Sequence, residues 1–347
     1  MVSFADSRSA HVTAHSFIAK TIPPRTRLDL FLATEMAPEY SRSRIARMIR
    51  AGAVTINGAS ADDPAHLLRP GDRIEVAEPA KVEAKISADY SALALPEIPI
   101  LHADEEVIVI DKPVGMVVHA APGNHAPTLV DALLAQFPDL AAMAEPDGVM
   151  RPGIVHRLDK ETSGVMVVAR TPYARMSLAQ QFKDRTVRKI YLAAVRGIVA
   201  RDDLVVSRAL GRHPTERKRM STRSRTPREA VTRITVLRRF EAPAKDDFSS
   251  TLVRAIPATG RTHQIRVHLA SIGHPCLGDR LYGRATDGDA GPFHRQALHA
   301  LALEFTHPRT GVRMRLIAPL PGDFSAYLAE RGMMVNEDVM LEWIRSA

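Results

Sequence analysis

The residues of this sequence best suited to chemistry lie between positions 153 and 164, which read GIVHRLDKETSG. Within this segment Asp159 stands directly between cationic neighbours, where it is suited to act as a nucleophile or as a general base. The apolar residues 165–169 predict a short buried strand that would hold this charged turn rigidly. A solvated loop in which Arg157 and Asp159 merely pair is the competing interpretation. The length of the unusual string HRLDKETSG favours a catalytic Asp159.

Three further segments carry reactive or cationic residues in a fixed order along the chain. They read VIVIDKPVGMVVHAAPG at 107–123, RKIYLA at 188–193 and TGRTHQIRVH at 259–268. Together with the string HRLD, they are similar in order and spacing to the motifs of the RluA family of pseudouridine synthases. The resemblance covers roughly residues 98–322 and adds a separate N-terminal module.

This resemblance implies a reaction. Members of the family isomerise uridine to pseudouridine: the bond from N1 to C1′ breaks, the base turns while it stays bound, and C5 joins C1′. The reaction needs no redox step, so we expect no cofactor. It requires one carboxylate near the sugar, either as a nucleophile at C1′ or as a base at C2′, and the sequence leaves this choice open.

The resemblance also implies a three-residue site. Asp159 matches the catalytic aspartate of the family, and Arg266 matches the arginine beside it, where a guanidinium holds a carboxylate ionised and oriented. Tyr191 matches the tyrosine that packs against the base, although a core tyrosine on a strand is the plain alternative. Arg157 matches the residue that displaces and replaces the target base, which must leave its stem-loop to be reached.

Other motif residues are expected to contact RNA or the scaffold, namely Lys112, His119, His156 and Arg261. The histidines at 263, 268 and 274 raise the question of a metal. The chain has a single cysteine and its histidines form no HExxH pattern, so we predict no metal site.

Residues 24–80 predict a small α+β domain ahead of the catalytic one. Apolar spacing predicts a first helix through Phe31 and Met36, with Thr26 or Asp29 as its N-cap and Pro38 as its stop. A second helix is predicted from Ser41 to a cap at Gly52, followed by strands at 53–56 and 73–76. Asn57-Gly58 predicts a hairpin turn between strands.

The second of these helices has a cationic surface that indicates RNA binding. The fragment YSRSRIARMIRAGAVTINGA around it resembles the core of an S4 RNA-binding domain. Four arginines with no intervening acid would meet successive phosphates and bind RNA with little sequence preference. An ordinary amphipathic surface helix is the alternative interpretation. The four arginines are Arg42, Arg44, Arg47 and Arg50.

Composition indicates a polyanionic partner. The 347 residues carry a net charge of +8 with a pI near 9.8, which favours a structured RNA over a small acidic metabolite. Ten Lys or Arg against two Glu between positions 211 and 239 give that segment +8 (10 − 2), so the rest of the chain is neutral in sum. A solvated basic loop is the alternative for this segment. The single Cys276 and the lack of a long apolar run favour a cytoplasmic protein without a membrane span.

The expected fold is α+β throughout. The resemblance implies the pseudouridine synthase fold, a mixed and largely antiparallel sheet with flanking helices and a central cleft. We expect helices at 128–136 and 173–184 and strands at 189–196, 231–240, 249–256 and 314–318. The predicted plan is a flexible leader at 1–23, the S4-like domain at 24–80, a linker at 81–97, the catalytic domain at 98–322 and a helical tail at 323–347.

The layout of an S4 module before these motifs looks most like the RluD branch of the family, which acts on large-subunit ribosomal RNA. We therefore expect 23S ribosomal RNA or its precursor as the partner and a monomeric enzyme. Transfer RNA is an alternative substrate that no local motif excludes. A non-catalytic RNA-binding protein of ribosome assembly is an alternative from another class. A hydrolytic glycosidase is a third, but such enzymes usually need two carboxylates, and Glu161 is a poor second.

Overall fold

The computed structural model describes residues 13–36, 40, 42–77, 95–119, 127–143, 152–216, 219–242, 249–283 and 293–345. The described chain forms two compact units, one before and one after residues 78–94. Most of the predicted linker at 81–97 therefore lies outside the described residues.

The N-terminal unit packs two helices against a small antiparallel sheet. In chain order its elements are β1 (Thr13–Ile18), α1 (Leu28–Glu35), α2 (Arg42–Arg50), β2 (Val54–Ile56), β3 (Ala59–Ser60) and β4 (Arg73–Ala77). The spatial strand order is β1-β4-β2-β3. Asn57 and Gly58 have φ values of 52° and 82°, which confirms the predicted hairpin turn between β2 and β3.

The core of this unit follows from the apolar stripe of α2. Ile45, Met48 and Ile49 are buried against residues of α1 and the sheet, while the arginines lie around them. Gly52 has a φ of 75°, which confirms it as the predicted end of the helix. The predicted N-cap of α1 was wrong: Arg27 occupies the cap position and no side chain caps it.

Strand β1 corrects the prediction that residues 1–23 form a flexible leader. It pairs with β4, with Phe17 opposite Ile74 and Ile18 opposite Arg73. The strand is specified by a partner far along the chain, so its own mixed composition gave no local signal. Residues 1–12 lie outside the described residues.

The C-terminal unit is built around one mixed sheet. Its strands are β5 (Ile100–Ala103), β6 (Val107–Lys112), β7 (Ser163–Ala169), β8 (Arg188–Arg196), β9 (Asp203–Ser207), β12 (Val231–Phe240), β13 (Ser250–Pro257), β14 (Leu298–Thr306) and β15 (Arg313–Ile317), while β10 (Gly211–Arg212) and β11 (Met220–Ser221) form a separate ribbon. The order is β5-β6-β7-β14-β8-β13-β12-β9, with β15 also on β14. Strands β7 and β14 are parallel and the other described pairs are antiparallel, as predicted.

The helices of this unit are α3 (Leu129–Gln136), α4 (Pro172–Lys183), α5 (Gln264–Ser271), α6 (Gly322–Glu330) and α7 (Glu337–Arg345), with a short 3-10 helix at Pro138–Met143. The predicted helices at 128–136 and 173–184 are confirmed as α3 and α4. Both start at a threonine whose hydroxyl accepts a backbone N–H, Thr128 and Thr171.

Alternation along β8 assigns its side chains to two different cores. Ile190 and Leu192 belong to a cluster with α6 and α7, whereas Ala193 and the partly buried Tyr191 belong to a cluster with Ile265 and other residues of α5. Because side chains alternate across a strand, the sheet separates a helical layer from a face that carries the candidate site.

The C-terminal helices correct the predicted boundary at 322. They are helical as predicted, but they are not a separate tail. Phe324 and Tyr327 of α6 and Trp343 of α7 are buried against the main sheet. This segment therefore completes the catalytic core. Within the described residues, no helix is long and apolar enough to cross a membrane.

Candidate active site

A cavity of about 490 Å³ opens beside Asp159. Its walls come from the turn at residues 156–162, which we call the HRLD turn, from β8, from residues around the end of α4 and from the loop that leads into α5. The three predicted catalytic residues, Asp159, Tyr191 and Arg266, all line this cavity. The fold thus brings together residues that lie more than 100 positions apart in the sequence.

The HRLD turn is fixed where it joins β7. The Thr162 N–H donates to the Asp159 carbonyl at 3.0 Å. Gly164, at the start of β7, has a φ of 114°, and a Cβ there would lie 2.2 Å from the Ala300 carbonyl oxygen of β14. Only glycine fits this approach, so the turn enters the sheet at one defined position.

Lys112 lies under this turn and is bound to the backbone. Its side chain is fully buried, and Nζ donates to the carbonyls of Pro113, Met116 and Lys160 at 2.6, 3.0 and 3.2 Å. Of the two roles predicted for Lys112, a contact with RNA or with the scaffold, this burial favours the scaffold. The ammonium donates to two carbonyls in the segment after β6 and to one in the HRLD turn, so Lys112 positions the Lys160 carbonyl next to Asp159.

Arg295 supports the same turn from the other side. Its Nη1 donates to the carbonyl of Glu161 at 3.1 Å, and its Nε and Nη2 bind the Asp323 carboxylate of α6 at 2.6 and 2.9 Å. Arg295 is only 6% exposed. Arg295 thereby connects helix α6 to the backbone of Glu161, two residues after Asp159.

Asp159 is held by a buried arginine that has two carboxylate partners. Arg266 Nη1 donates to Asp159 Oδ2 at 2.9 Å. Its Nε and Nη2 form a bidentate pair with Asp279 at 2.7 and 2.9 Å. Asp279 is fully buried, whereas the Asp159 side chain is 18% exposed to the cavity. The guanidinium fork therefore transmits a fixed orientation from the core to Asp159.

The charge of Arg266 is secured by these partners. Burial alone would lower the pKa of Arg266, but the hydrogen bonds and negative charge of Asp279, together with the charge of Asp159, outweigh it and raise that pKa. The arginine therefore stays cationic where it binds Asp159.

Tyr282 and His263 complete this arrangement. The Tyr282 ring lies 5.0 Å from the Arg266 guanidinium, and its hydroxyl is 2.8 Å from His263 Nδ1. His263 Nε2 is 3.9 Å from Asp159 Oδ1, beyond hydrogen-bond distance. Burial lowers the pKa of His263, which favours its neutral form at pH 7.

Tyr191 forms the wall of the cavity on β8, between Ala255 of β13 and Ala300 of β14. Burial and then the charge of Asp159 raise the pKa of Tyr191, so its hydroxyl stays protonated. It lies on the face of the sheet that carries the site, which is the placement that the predicted role requires.

The remaining predicted contacts separate into two kinds. Arg157 is exposed at the cavity, and Arg261 lines it while its Nε donates to the carbonyl of Glu229 at 3.1 Å. His156 instead accepts the Val167 N–H at 3.0 Å and stacks on Phe182 at 4.6 Å. Burial, followed by the charge of Lys189, lowers the pKa of His156 to about 3. The predicted RNA contact of His156 is thus not an ionic one, and this ring serves mainly as scaffold.

The four predicted S4 arginines lie in the N-terminal unit. Arg42 is exposed but donates two hydrogen bonds to Asp29 at 3.0 Å, so part of its role is structural. Arg44 lies 4.2 Å from the ring of Tyr40. Arg50 is exposed at the end of α2, and Arg47 is half-buried.

Asp279, Tyr282 and Arg295 were missed by the sequence analysis. One signal for Asp279 was present, because it is the only acidic residue between positions 248 and 286, a stretch that contains four other arginine positions besides Arg266. An acid alone among arginines is a candidate for pairing, but its partner becomes clear only from the fold.

The arrangement suits chemistry with a single carboxylate. Among the described residues that line the cavity, Asp159 is the one acid. Hydrolysis of a glycosidic bond usually needs a second carboxyl group across the bond, which this lining does not supply. One oriented carboxylate beside a tyrosine and several cations fits nucleophilic or base catalysis on a bound polyanion.

Comparison with protein families gives two matches. The model for RNA pseudouridylate synthase matches residues 106–271, and the S4 domain matches residues 26–74. Human RNA pseudouridylate synthase domain containing 1 has a similar structure, with a TM-score of 0.57, 27% identity, and coverage of 72% of this chain and 96% of that one. Human RNA pseudouridylate synthase domain containing 4 is also similar in structure. It has a TM-score of 0.52, 29% identity, and coverage of 69% of this chain and 95% of that one.

Curated relatives cover nearly the whole chain. The uncharacterized RNA pseudouridine synthase YlyB of Bacillus subtilis (strain 168) is 41% identical over 86% of this chain and 92% of its own length. The ribosomal large subunit pseudouridine synthase D of Xylella fastidiosa is 43% identical over 87% and 88%, and that of Pseudomonas aeruginosa is 41% identical over 86% and 89%. With these similarities along most of its length, the chain belongs to the RNA pseudouridine synthase family and carries an S4 domain ahead of its catalytic domain.

Proposed function

We propose that this enzyme isomerises uridines of large-subunit (23S) ribosomal RNA or its precursor, with Asp159 as the catalytic carboxylate. The target is supported by the relatives from Xylella fastidiosa and Pseudomonas aeruginosa, which are named as ribosomal large subunit enzymes. The role of Asp159 rests on one observation above all, its ion pair with the buried and doubly anchored Arg266 at the base of the cavity.

Geometry suggests how Asp159 would meet the substrate. Its Oδ2 accepts the hydrogen bond of Arg266, so Oδ1 is the atom that we assign to react with the ribose. Arg266 would neutralise the carboxylate when it is free and hold it in place as its charge changes during the reaction. The structure is compatible with attack at C1′ and with proton abstraction at C2′.

Tyr191 would contact the target base, and Arg157 would take its place in the RNA stem. We assign Tyr191 to pack against the uracil from the β8 wall, where its protonated hydroxyl remains available late in the reaction. Arg157 is exposed next to Asp159, where it would fill the gap left in the RNA stem when the uridine is extruded.

RNA capture is assigned to cationic surfaces of both units. The arginines of α2 would bind phosphates without reading sequence. In the C-terminal unit, exposed arginines of the basic segment would do the same, namely Arg212, Arg223, Arg225, Arg228, Arg233 and Arg238. We also propose that the enzyme works in the cytoplasm, as a ribosomal target implies, and the monomeric state stays a prediction.

A deletion strain tests this proposal. Pseudouridines would be mapped by carbodiimide modification and mass spectrometry in ribosomal and transfer RNA from the parent strain, the deletion strain, and the deletion strain carrying either the intact gene or Asp159→Ala. We expect specific sites in 23S RNA to be lost, then restored by the intact gene and not by the variant.

Unchanged 23S RNA would contradict the proposed target, and losses confined to transfer RNA would replace it with the alternative substrate. Restoration of the sites by Asp159→Ala would contradict the catalytic role. A non-catalytic function in ribosome assembly predicts this last result, because such a protein has no chemical need for the carboxylate.

A further inference from the structure

Lys189 is a cation in the cavity wall to which the functions assigned above give no role. It precedes Tyr191 by two residues on β8, and both line the cavity. Because β8 alternates, Lys189 and Tyr191 share the face of the site, while Ile190 and Leu192 lie in the helical core on the other side. Any base that packs against Tyr191 would lie next to the Lys189 side chain.

The Lys189 ammonium is only partly used by the protein. Within the described chain, Lys189 Nζ donates a hydrogen bond to the Thr259 carbonyl at 3.2 Å. An ammonium has three protons to donate, so this bond fixes its position and leaves donors for a ligand. Lys112, by contrast, has three carbonyl partners and no capacity left.

The isomerisation creates a negative charge on the base, which a neighbouring cation stabilises. When the bond from C1′ to N1 breaks, its electron pair stays on the base, and the uracil carries a negative charge shared by N1 and the carbonyl oxygens O2 and O4. C5 then bonds to C1′, which removes the negative charge from the base. The C5 proton leaves to water and N1 takes up a proton, so the pseudouridine base is neutral. A fixed cation at a carbonyl oxygen lowers the free energy of the charged state without taking part in proton transfer.

We propose that Lys189 is a catalytic residue whose ammonium donates a hydrogen bond to a carbonyl oxygen of the uracil and stabilises the base while it is detached from the sugar. This assignment rests on the proposed function. It deepens that function by naming the residue that stabilises the departing base, whereas Asp159 and Arg266 act at the sugar.

Lys189 lies deeper in the cavity than the exposed cations that are suited to bind phosphates. Lys183 and Arg185 are exposed, whereas Lys189 is half-buried beside Tyr191. Burial, and then the charge of Arg185, lower the pKa of Lys189 to about 8. The group is therefore mainly cationic at pH 7 and loses its charge as the pH rises through about 8.

Other charged and titratable side chains line the cavity together with Lys189. Four of them are guanidinium groups, namely Arg157, Arg185, Arg261 and Arg266. The pKa values of His156 and His263 are lowered and that of Tyr191 is raised, in each case mainly by burial. Asp159 and the exposed Lys183 complete the set. A rate that falls near pH 8 and recovers in an arginine variant therefore reports Lys189.

The test uses the full chain and 23S ribosomal RNA that carries [5-³H]uridine, prepared from the deletion strain. Isomerisation releases tritium from C5 into water, and single-turnover rates at saturating RNA are measured from pH 6.5 to 9.5. The variants are Lys189→Met, Lys189→Arg and the control Lys20→Met, which changes an exposed lysine outside the cavity. RNA affinity is measured by filter binding, and circular dichroism checks folding.

We expect Lys189→Met to slow the saturated rate by about 100-fold while RNA affinity changes less than about threefold. Lys189→Arg should keep the rate within roughly tenfold and lose the decline above pH 8, since a guanidinium stays charged. The substrate titrates identically with both enzymes, so the difference between their pH profiles belongs to the protein.

Wild-type rate in Lys189→Met would overturn the assignment. So would a decline above pH 8 that persists unchanged in Lys189→Arg, because it would then belong to another group. If Lys189→Met fails to fold, the pH profile of Lys189→Arg decides alone. Failure of the wild-type enzyme to release tritium from this RNA would instead refute the proposed target, which keeps the two failures distinct.

Discussion

Exchange of Asp279 for Asn probes how the fold orients the reactive carboxylate. Asp279 is fully buried and binds Arg266 through two short hydrogen bonds, and it also accepts the N–H groups of Leu281 and Tyr282 at 3.0 Å. The substitution preserves size but removes the charge and turns one acceptor into a donor that faces Arg266. It therefore perturbs Asp159 without touching the cavity lining.

The magnitude follows from burial. Removal of one partner from a buried ion pair costs about 3–5 kcal/mol of unfolding free energy. The Asn oxygen keeps one acceptor and Asp159 remains beside Arg266, so we expect a loss of about 2–3 kcal/mol, or a fall in Tm of about 5–10 °C. The saturated rate should fall about 10–100-fold, because a misplaced Arg266 no longer aligns Asp159.

Calorimetry and tritium release measure the two effects. Asp202→Asn is the matched control, because Asp202 also pairs with an arginine, Arg239 at 2.6 Å, but is 78% exposed. It should change stability by less than about 0.5 kcal/mol. In a double-mutant cycle, Asp279→Asn added to Arg266→Met should slow the reaction little further, because Asp279 acts through Arg266. Wild-type stability and rate in Asp279→Asn, or additive effects in the cycle, would refute this reasoning.

Three other perturbations test separate parts of the structure. Gly164→Ala places a Cβ 2.2 Å from a backbone oxygen, so it should lower the free energy of unfolding in urea by more than about 2 kcal/mol. The control Gly322→Ala has open space around the new Cβ and should change that free energy by less than about 0.5 kcal/mol. Asp104 has its pKa lowered to about 2: burial opposes this, but hydrogen bonds from a histidine and two backbone N–H groups prevail. Its stabilising contribution is present above pH 4 and is lost as pH falls toward 2, so Asp104→Asn should weaken the acid dependence of unfolding measured between pH 5 and 3. Arg44→Gln with Arg47→Gln should lower RNA affinity and flatten its salt dependence by about one to two charges in filter binding across KCl, while an unchanged salt slope would argue against phosphate contacts there.

Local chemistry explains which elements could be predicted from the sequence. Helix α3 follows from apolar periodicity and a threonine cap, and the hairpin at Asn57-Gly58 follows from two residues that accept positive φ. The proximity of Asp159, Tyr191 and Arg266 followed from resemblance to family motifs, since no local pattern joins residues so far apart.

The failures occurred where distant partners decide the structure. Strand β14 was missed because LHALALEFT is rich in Ala and Leu and, being buried on both faces, lacks alternation. Strand β1 depends on β4 in the same way. The burial of Lys112 and the pairing of Asp279 with Arg266 are properties of the assembled core, which residue type alone does not reveal.

The most direct measurement is tritium release by Asp159→Asn under single-turnover conditions at saturating [5-³H]uridine-labelled 23S RNA. The side chain keeps its size and its contact with Arg266 but loses the charge needed to act as a nucleophile or base. We predict no release above background while RNA binding stays within a few-fold of wild type. Release at a rate near that of the wild-type enzyme would contradict the central claim that Asp159 carries out the reaction.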